Sequence, residues 1–312
     1  MGEGRLLNRR LVSMDELTVE DIEQILQTAV VMKEISEREV KKAPPLRGRT
    51  IINCFLEPST RTRTSFELAG KRLSADVINI SGSGSSLSKG ESLKDTALTL
   101  EAMRPDLLVI RAKPSGAAEQ VSRWVKCPVV NAGDGRHEHP SQSLLDLMTI
   151  RERFGKIRDL NVSIIGDIAN SRVARSNLIA MSMLGIKTTV CGPATLLPRE
   201  VSTMADRVTT DIKEAVEGAD VLMMLRIQQE RISQAKFPSL REYSRLYGLN
   251  GTLLKRAKKN AIIMHPGPIN RGVEISPDVA DGPWSVILDQ VTNGVAVRMA
   301  ILYLLLGGGI AK

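Results

Sequence analysis

Cys54-Phe55-Leu56-Glu57-Pro58-Ser59-Thr60-Arg61-Thr62-Arg63-Thr64-Ser65-Phe66 joins an apolar, strand-like run beginning at Thr50 to a segment with apolar residues at helical spacing (Phe66, Leu68, Ala69, Leu73). Between the two lie hydroxyls and guanidiniums. A strand–loop–helix of this composition is an anion cradle. The first-turn amides of a helix carry about half a positive charge and have no partners within the helix. Ser59, Thr60 and Thr62 add hydroxyl donors, and Arg61 can grip two phosphate oxygens at once. Ser and Thr also serve as ordinary helix caps, so it is the length of the run that argues for a ligand. No Walker or G-x-G-x-x-G pattern is present, so a small phosphorylated metabolite fits better than a nucleotide.

The same alternation continues outward. Strands are expected at Val77–Ile80, Leu107–Arg111, Pro128–Asn131, Val162–Gly166, Thr188–Cys191, Val221–Leu225 and Ala261–Met264, with helices between them. Thr18 and Asp21 form a capping box ahead of the apolar face Ile22, Ile25, Leu26 and Ala29. A break at Gly133-Asp134-Gly135 precedes a long amphipathic helix, Pro140–Phe154. This pattern predicts an α/β protein with two doubly wound parallel-sheet domains joined by interdomain helices. One domain takes residues 1–138, with a C-terminal helix from about 290 to 312 returning to it, and the other takes 139–289.

Composition excludes several classes. With 312 residues, 42% hydrophobic and 25% charged, the chain has enough apolar content for two ordinary cores. Four Phe, three Tyr and two Trp leave those cores to aliphatic residues. Cys54, Cys127 and Cys191 are odd in number and lack C-x-x-C pairing, which argues against disulfides and zinc knuckles and for a reducing, cytoplasmic setting. No run approaches the ~20 apolar residues of a membrane span. The net charge of +8 raises nucleic-acid binding as an alternative, with Lys255-Arg256-Ala257-Lys258-Lys259 its densest run. Those cations suit a helix C-terminus, and no aromatics interleave them to stack on bases. Small, multiply anionic substrates fit the charge better.

Ligands of open α/β sheets bind beyond the carboxyl ends of the strands, so the residues there are the candidates. Arg111 ends one strand. His137-Glu138-His139-Pro140-Ser141-Gln142 follows the next. An H-x-H pair can bind zinc, but no third ligand stands at a matching spacing, so no metal is expected. Pro140 suits the first position of a helix, which puts His139 at the positive helix end, neutral and able to donate a hydrogen bond. Arg172 follows a turn with a single glycine, Gly166, too few for a dinucleotide. Arg226 and Gln228 end another strand, and His265-Pro266-Gly267-Pro268 follows the last.

These motifs together resemble the aspartate/ornithine carbamoyltransferases. The opening stretch is similar to their F-x-E-x-S-T-R-T-R-x-S-F-E signature, the second to H-P-x-Q, and Ser85-Ser86-Leu87-Ser88-Lys89-Gly90-Glu91 to a mobile S-x-x-x-K-G-E loop. The resemblance implies that Ser59, Thr60, Arg61, Thr62, Ser85, Arg111, His139, Gln142, Gly267 and Pro268 bind carbamoyl phosphate. Of these, Arg61, Thr62, Arg111 and His139 would be catalytic, and Lys89, Arg172, Arg226 and Gln228 would bind the amino acid. Arg226-Ile227-Gln228 matches the R-x-Q of the aspartate branch, and the S-M-G and H-C-L-P segments of the ornithine branch are missing. Two arginines suit a dicarboxylate and would repel ornithine's cationic tail. The implied reaction is carbamoyl transfer to L-aspartate, early in de novo pyrimidine synthesis, with ornithine or another amino acid as the alternative acceptor. The resemblance further implies no cofactor and a homotrimer whose Ser85–Lys89 loop enters the neighbouring site. A regulatory chain or a dihydroorotase is left open as a further partner. Gly267 stands where several members have leucine, and Arg271 is open between a site residue and a loop salt bridge. Glu57 is expected to bridge to Arg172 or Arg231 in a closed form.

Overall fold

The computed structural model describes residues 10–82, 90–227 and 239–307. It divides into two compact units, one taking the chain up to Leu145 and again from Thr292, the other Asp146–Val291. The first is built on a parallel sheet of β1 (Arg10–Leu11), β2 (Thr50–Phe55), β3 (Asp76–Ser81), β4 (Leu107–Ala112) and β5 (Val129–Asp134), in the order β1-β5-β4-β2-β3. Its helices are α1 (Val19–Glu37), α2 (Thr60–Arg72), α3 (Leu93–Ala102) and α4 (Ala117–Trp124). The chain then enters the second unit within α5 (Pro140–Phe154).

The second sheet has the same plan: β6 (Asn161–Ile165), β7 (Lys187–Cys191), β8 (Arg207–Thr209), β9 (Val221–Met224) and β10 (Ile262–Met264), all parallel, in the order β10-β9-β6-β7-β8. Helices α6 (Arg172–Met183), α7 (Ile212–Val216), α8 (Leu240–Tyr247), α9 (Gly251–Leu254) and α10 (Pro277–Ala280) accompany it. The chain leaves this unit within α11 (Ile287–Leu306).

Strands covered on both faces read as continuous apolar runs, and Leu107 to Ile110 of β4 are at most 1% exposed. In α2, Gly70 lets the helix approach β3 closely; a Cβ there would lie 2.5 Å from Val77 Cγ2. The Thr18 capping box is formed in both directions, with Asp21 N donating to Thr18 Oγ1 at 3.1 Å and Thr18 N to the Asp21 carboxylate at 2.9 Å. Gly155, at φ 70°, ends α5.

Three features differ from expectation. β1 and β8 are two and three residues long, too short to leave a period in the sequence. α11 begins at Ile287, a little before the start expected at about 290, because Leu288 and Val291 of its first turns are 79% and 51% exposed and mask the buried face. The basic run 255–259 does lie at a helix C-terminus, as expected, but the helix is only four residues long: α9 stops at Leu254, with Lys255 as its C-cap. Two of its cations are neutralised locally, Arg256 by Glu217 and Lys258 by Asp220, each at 2.8 Å. Among the described residues no helix is long and apolar enough to cross a membrane.

Replacing Thr18 by Ala should cost about 1 kcal/mol and lower the melting midpoint of the first unit by roughly 2–4 °C, read by calorimetry. Burial pushes the Cys54, Cys127 and Cys191 thiols up to about 12, with the Glu101 charge adding to the effect at Cys127. At pH 8 all three are therefore protonated and poor nucleophiles. A chromogenic disulfide reagent should find no rapidly reacting thiol in the folded protein and three after denaturation.

Candidate functional site

The candidate anion cradle lies where β2 meets α2. Ser59 occupies the N-cap position with extended backbone, φ −163° and ψ 97°, but its side chain makes no capping hydrogen bond. The hydroxyl is thus uncommitted, and the cap leaves the first-turn amides available to an anion. Thr62 is buried one turn in, and Arg61 is exposed beside it. The helix is held from behind by α11. The Arg298 guanidinium lies 5.1 Å from the Phe66 ring centroid and donates to Ser65 Oγ at 2.9 Å and to Gly294 O at 3.0 Å.

β4 lies beside β2 and ends in Arg111 and Ala112. Arg111 Nη2 donates to Glu57 Oε1 at 2.9 Å and Nη1 to Ala132 O at 3.1 Å, in a pair only 11% and 14% exposed. The glutamate of the opening motif and the Ala132 carbonyl therefore both help to aim this guanidinium. Arg231, one of the partners expected for Glu57, lies outside the described residues, as do Ser85, Lys89 and Gln228.

Beyond β5, His139 is 4% exposed and its carbonyl accepts the amides of Gln142 and Ser143, so it stands at the start of α5. Its Nδ1 is 3.5 Å from Ser141 Oγ. Gln142 is buried one turn further on. Behind them lies a polar network that the motifs did not announce. Asp134 accepts Gly116 N at 2.7 Å, Glu138 N at 3.1 Å and Asn131 Nδ2 at 2.9 Å. Glu138 in turn accepts Met14 N at 2.9 Å and the Ser13 hydroxyl. His137 Nδ1 sits 3.3 Å from Asp134 Oδ2. Among the described residues no three His, Cys, Asp or Glu side chains are grouped to hold a metal ion.

In the second unit the candidates again sit at strand ends. Arg172, 5% exposed, is the first residue of α6 after β6, and Ser171 caps that helix by accepting Ala174 N at 3.1 Å. Arg226 follows β9, the strand paired with β6. Its neighbour Ile227 is buried in a cluster with Leu196 and Tyr243, which anchors the backbone that carries it. Burial, reinforced by the Glu274 charge, pushes the Tyr243 phenol well above its ordinary value and keeps it neutral.

After β10, Gly267 has φ 65°, a left-handed conformation that glycine adopts far more easily than leucine. Pro268 follows it and is exposed. Arg271 is in a two-pronged ion pair with Asp281, at 2.6 and 2.8 Å, so it is a loop salt bridge here. An open groove of about 1080 Å³ elsewhere on this unit, bordered by Asp211, Tyr247, Asn250 and Trp284, touches none of the candidate residues.

Chemically, the first unit presents helix-end amides, Arg61, Thr62, Arg111 and His139 beyond β2, β4 and β5, a set suited to a phosphate with an adjoining carbonyl. The second presents two guanidiniums beyond adjacent strands, suited to carboxylates.

The family model for the aspartate/ornithine carbamoyltransferase carbamoyl-P binding domain matches residues 9–152, and that for the Asp/Orn binding domain matches residues 158–305. The aspartate carbamoyltransferase catalytic subunit of Syntrophus aciditrophicus (strain SB) is 60% identical over 297 residues, 95% of this chain and 97% of that protein. An ornithine carbamoyltransferase from Pyrococcus furiosus superposes with a TM-score of 0.88 at 32% identity, covering 98% of this chain and 99% of that one. Aspartate transcarbamoylase from Trypanosoma cruzi in complex with N-(phosphonacetyl)-L-aspartic acid does so with a TM-score of 0.85 at 30% identity, covering 96% of each chain. With both domain models matched in order across nearly its whole length, the chain belongs to the aspartate/ornithine carbamoyltransferase family.

Proposed function

We infer that the chain transfers the carbamoyl group of carbamoyl phosphate to L-aspartate, giving N-carbamoyl-L-aspartate and phosphate. The observation that carries the choice of acceptor is the pair Arg172 and Arg226 beyond the adjacent strands β6 and β9. Two fixed cations match the two carboxylates of aspartate and oppose ornithine's terminal ammonium. Relatives 55–60% identical over nearly the full length, all named for aspartate, support the same choice.

In this reading the first-turn amides of α2, with Ser59, Thr60, Arg61 and Thr62, hold the phosphate. Arg111, His139 and Thr62 donate to the carbonyl oxygen, and Gln142 with the Gly267 and Pro268 turn takes the carbamoyl amine. Arg172, Arg226 and Gln228 orient aspartate. The aspartate amine attacks the carbonyl carbon, and negative charge grows on its oxygen, where preorganised donors act most strongly. The tetrahedral species collapses by breaking the bond to the phosphate oxygen. The departing phosphate takes the amine proton, so the enzyme supplies positioning and electrostatics without a dedicated base. The carbamoyl phosphate domain comprises residues 1–138 with the C-terminal helix, and the aspartate domain residues 139–289. The assembly is a homotrimer in which Ser85 and Lys89 of one subunit complete the site of the next, with Lys89 shared between the substrates. The naming of relatives as catalytic subunits supports a further partner, a regulatory chain or a dihydroorotase.

Purified protein given carbamoyl phosphate should make carbamoyl-aspartate and no citrulline from ornithine; the opposite product would overturn the acceptor assignment. Arg226→Gln should raise the KM for aspartate on the order of a hundredfold, the equivalent of about 3 kcal/mol for a charge-assisted contact, with the KM for carbamoyl phosphate changed far less. Inactive Lys89→Ala and Arg61→Ala proteins, dissociated, mixed and reassembled, should regain activity through sites that draw on both chains. No recovery would count against shared sites.

A further inference from the structure

His265, the residue that leads from β10 into the Gly267 turn, is fully buried and has both ring nitrogens engaged. Nδ1 accepts the Gly267 amide at 2.8 Å, so the ring proton must reside on Nε2. That proton points at Glu274 Oε1, 3.1 Å away. Glu274 is 0% exposed, and the same Oε1 accepts Asn270 N at 2.7 Å, while Oε2 is buried with no hydrogen-bond partner among the described residues. On the other side, Gln290 Oε1 accepts His265 N at 2.9 Å.

Glu274 Oε1 already acts as an acceptor, for Asn270 N, and as an acceptor it selects the imidazole tautomer that leaves Nδ1 free to hold Gly267. The opposite tautomer would set two N–H groups against each other. In a planar trans peptide N–H and C=O point opposite ways, so an amide pinned on the ring turns the Pro266 carbonyl away from it and fixes the start of the turn. Gly267 needs this help, because at φ 65° it has no side chain to restrain it.

We propose that Glu274, acting through His265, is a positioning residue that fixes the Gly267 turn so that its backbone carbonyls accept hydrogen bonds from the carbamoyl amino group. The proposal rests on the functional reading above, in which this turn meets that group. It makes Glu274 a determinant of donor specificity: carbonyl oxygens reward an –NH2 and gain nothing from a methyl in its place. Acetyl phosphate, which carries that methyl, is the probe.

The full-length enzyme is assayed for the KM of carbamoyl phosphate at saturating aspartate and for the Ki of acetyl phosphate and of inorganic phosphate. Glu274→Ala should raise the KM tenfold or more while both Ki values move less than twofold. Glu274→Gln keeps an acceptor oxygen for His265 and Asn270 and should stay within threefold of wild type. Should the alanine protein not fold, Glu274→Asp, whose carboxylate falls short of the ring, should show the same selective loss. Equal weakening of all three ligands, an unchanged KM, or a glutamine variant as impaired as the alanine one would overturn the proposal. Failure of the functional reading is distinguishable, since it appears in the wild-type chain as no turnover of carbamoyl phosphate with aspartate, and it would overturn both.

Discussion

In a parallel sheet each strand hydrogen-bonds to a neighbour running the same way, so the chain must return through a crossover before it can pair again. Every carboxyl end therefore emerges at one edge, and polar side chains placed just after strands converge there. The order β1-β5-β4-β2-β3 adds a second effect. The chain moves from β2 to β3 on one side and then to β4 on the other, so the connections after β2 and β4 part company. That opening lies between the α2 N-terminus and Arg111. The second sheet repeats the device, moving from β6 through β7 to β8 before placing β9 on the far side of β6, and its opening is flanked by Arg172 and Arg226. Both candidate subsites are thus placed by the reversal of strand order.

Behind these openings each unit keeps a set of buried polar residues with directional tasks. Asp134 and Glu138 tie the segment before His139 to Gly116 and to Ser13 and Met14. In the second unit Asp146 of α5 accepts Asn177 Nδ2 and Gln290 Nε2, each at 2.8 Å, and Gln290 passes the constraint to the His265 backbone. A buried hydrogen bond adds only about 1 kcal/mol net, whereas an abandoned buried donor costs about 1–3 kcal/mol. Such networks contribute geometry more than stability. They suit a reaction in which the donors must already be aimed when the charge appears, because reorganisation during the step would raise the barrier.

Glu57 and Arg111 show how one residue can be chemical and structural together. The pair is largely removed from water, and the carboxylate fixes a guanidinium that would otherwise sample several rotamers. Glu57 belongs to the same thirteen-residue stretch as the candidate anion cradle, so a single short segment carries those hydroxyls and guanidiniums and also pairs with the arginine of the neighbouring strand.

Much was legible in the sequence because it depends on local order. Strand and helix alternation, the Thr18 capping box, the His139-Pro140 helix start and the S-T-R-T-R turn are all set by residues a few positions apart, and each is found in the structure. The short strands β1 and β8 left no period, and exposed Leu288 and Val291 hid the start of α11. The roles of Glu138, Glu274 and Arg271 were not legible, because each is defined by a partner that spacing does not name: Ser13 lies 125 positions from Glu138, and Asp281 ten from Arg271. The sequence by itself determined the chemistry available, namely which guanidinium, imidazole and hydroxyl groups follow which strands. Only the tertiary structure decided which strands are neighbours, and so which of those groups act together, because parallel pairing and burial are settled between residues far apart along the chain.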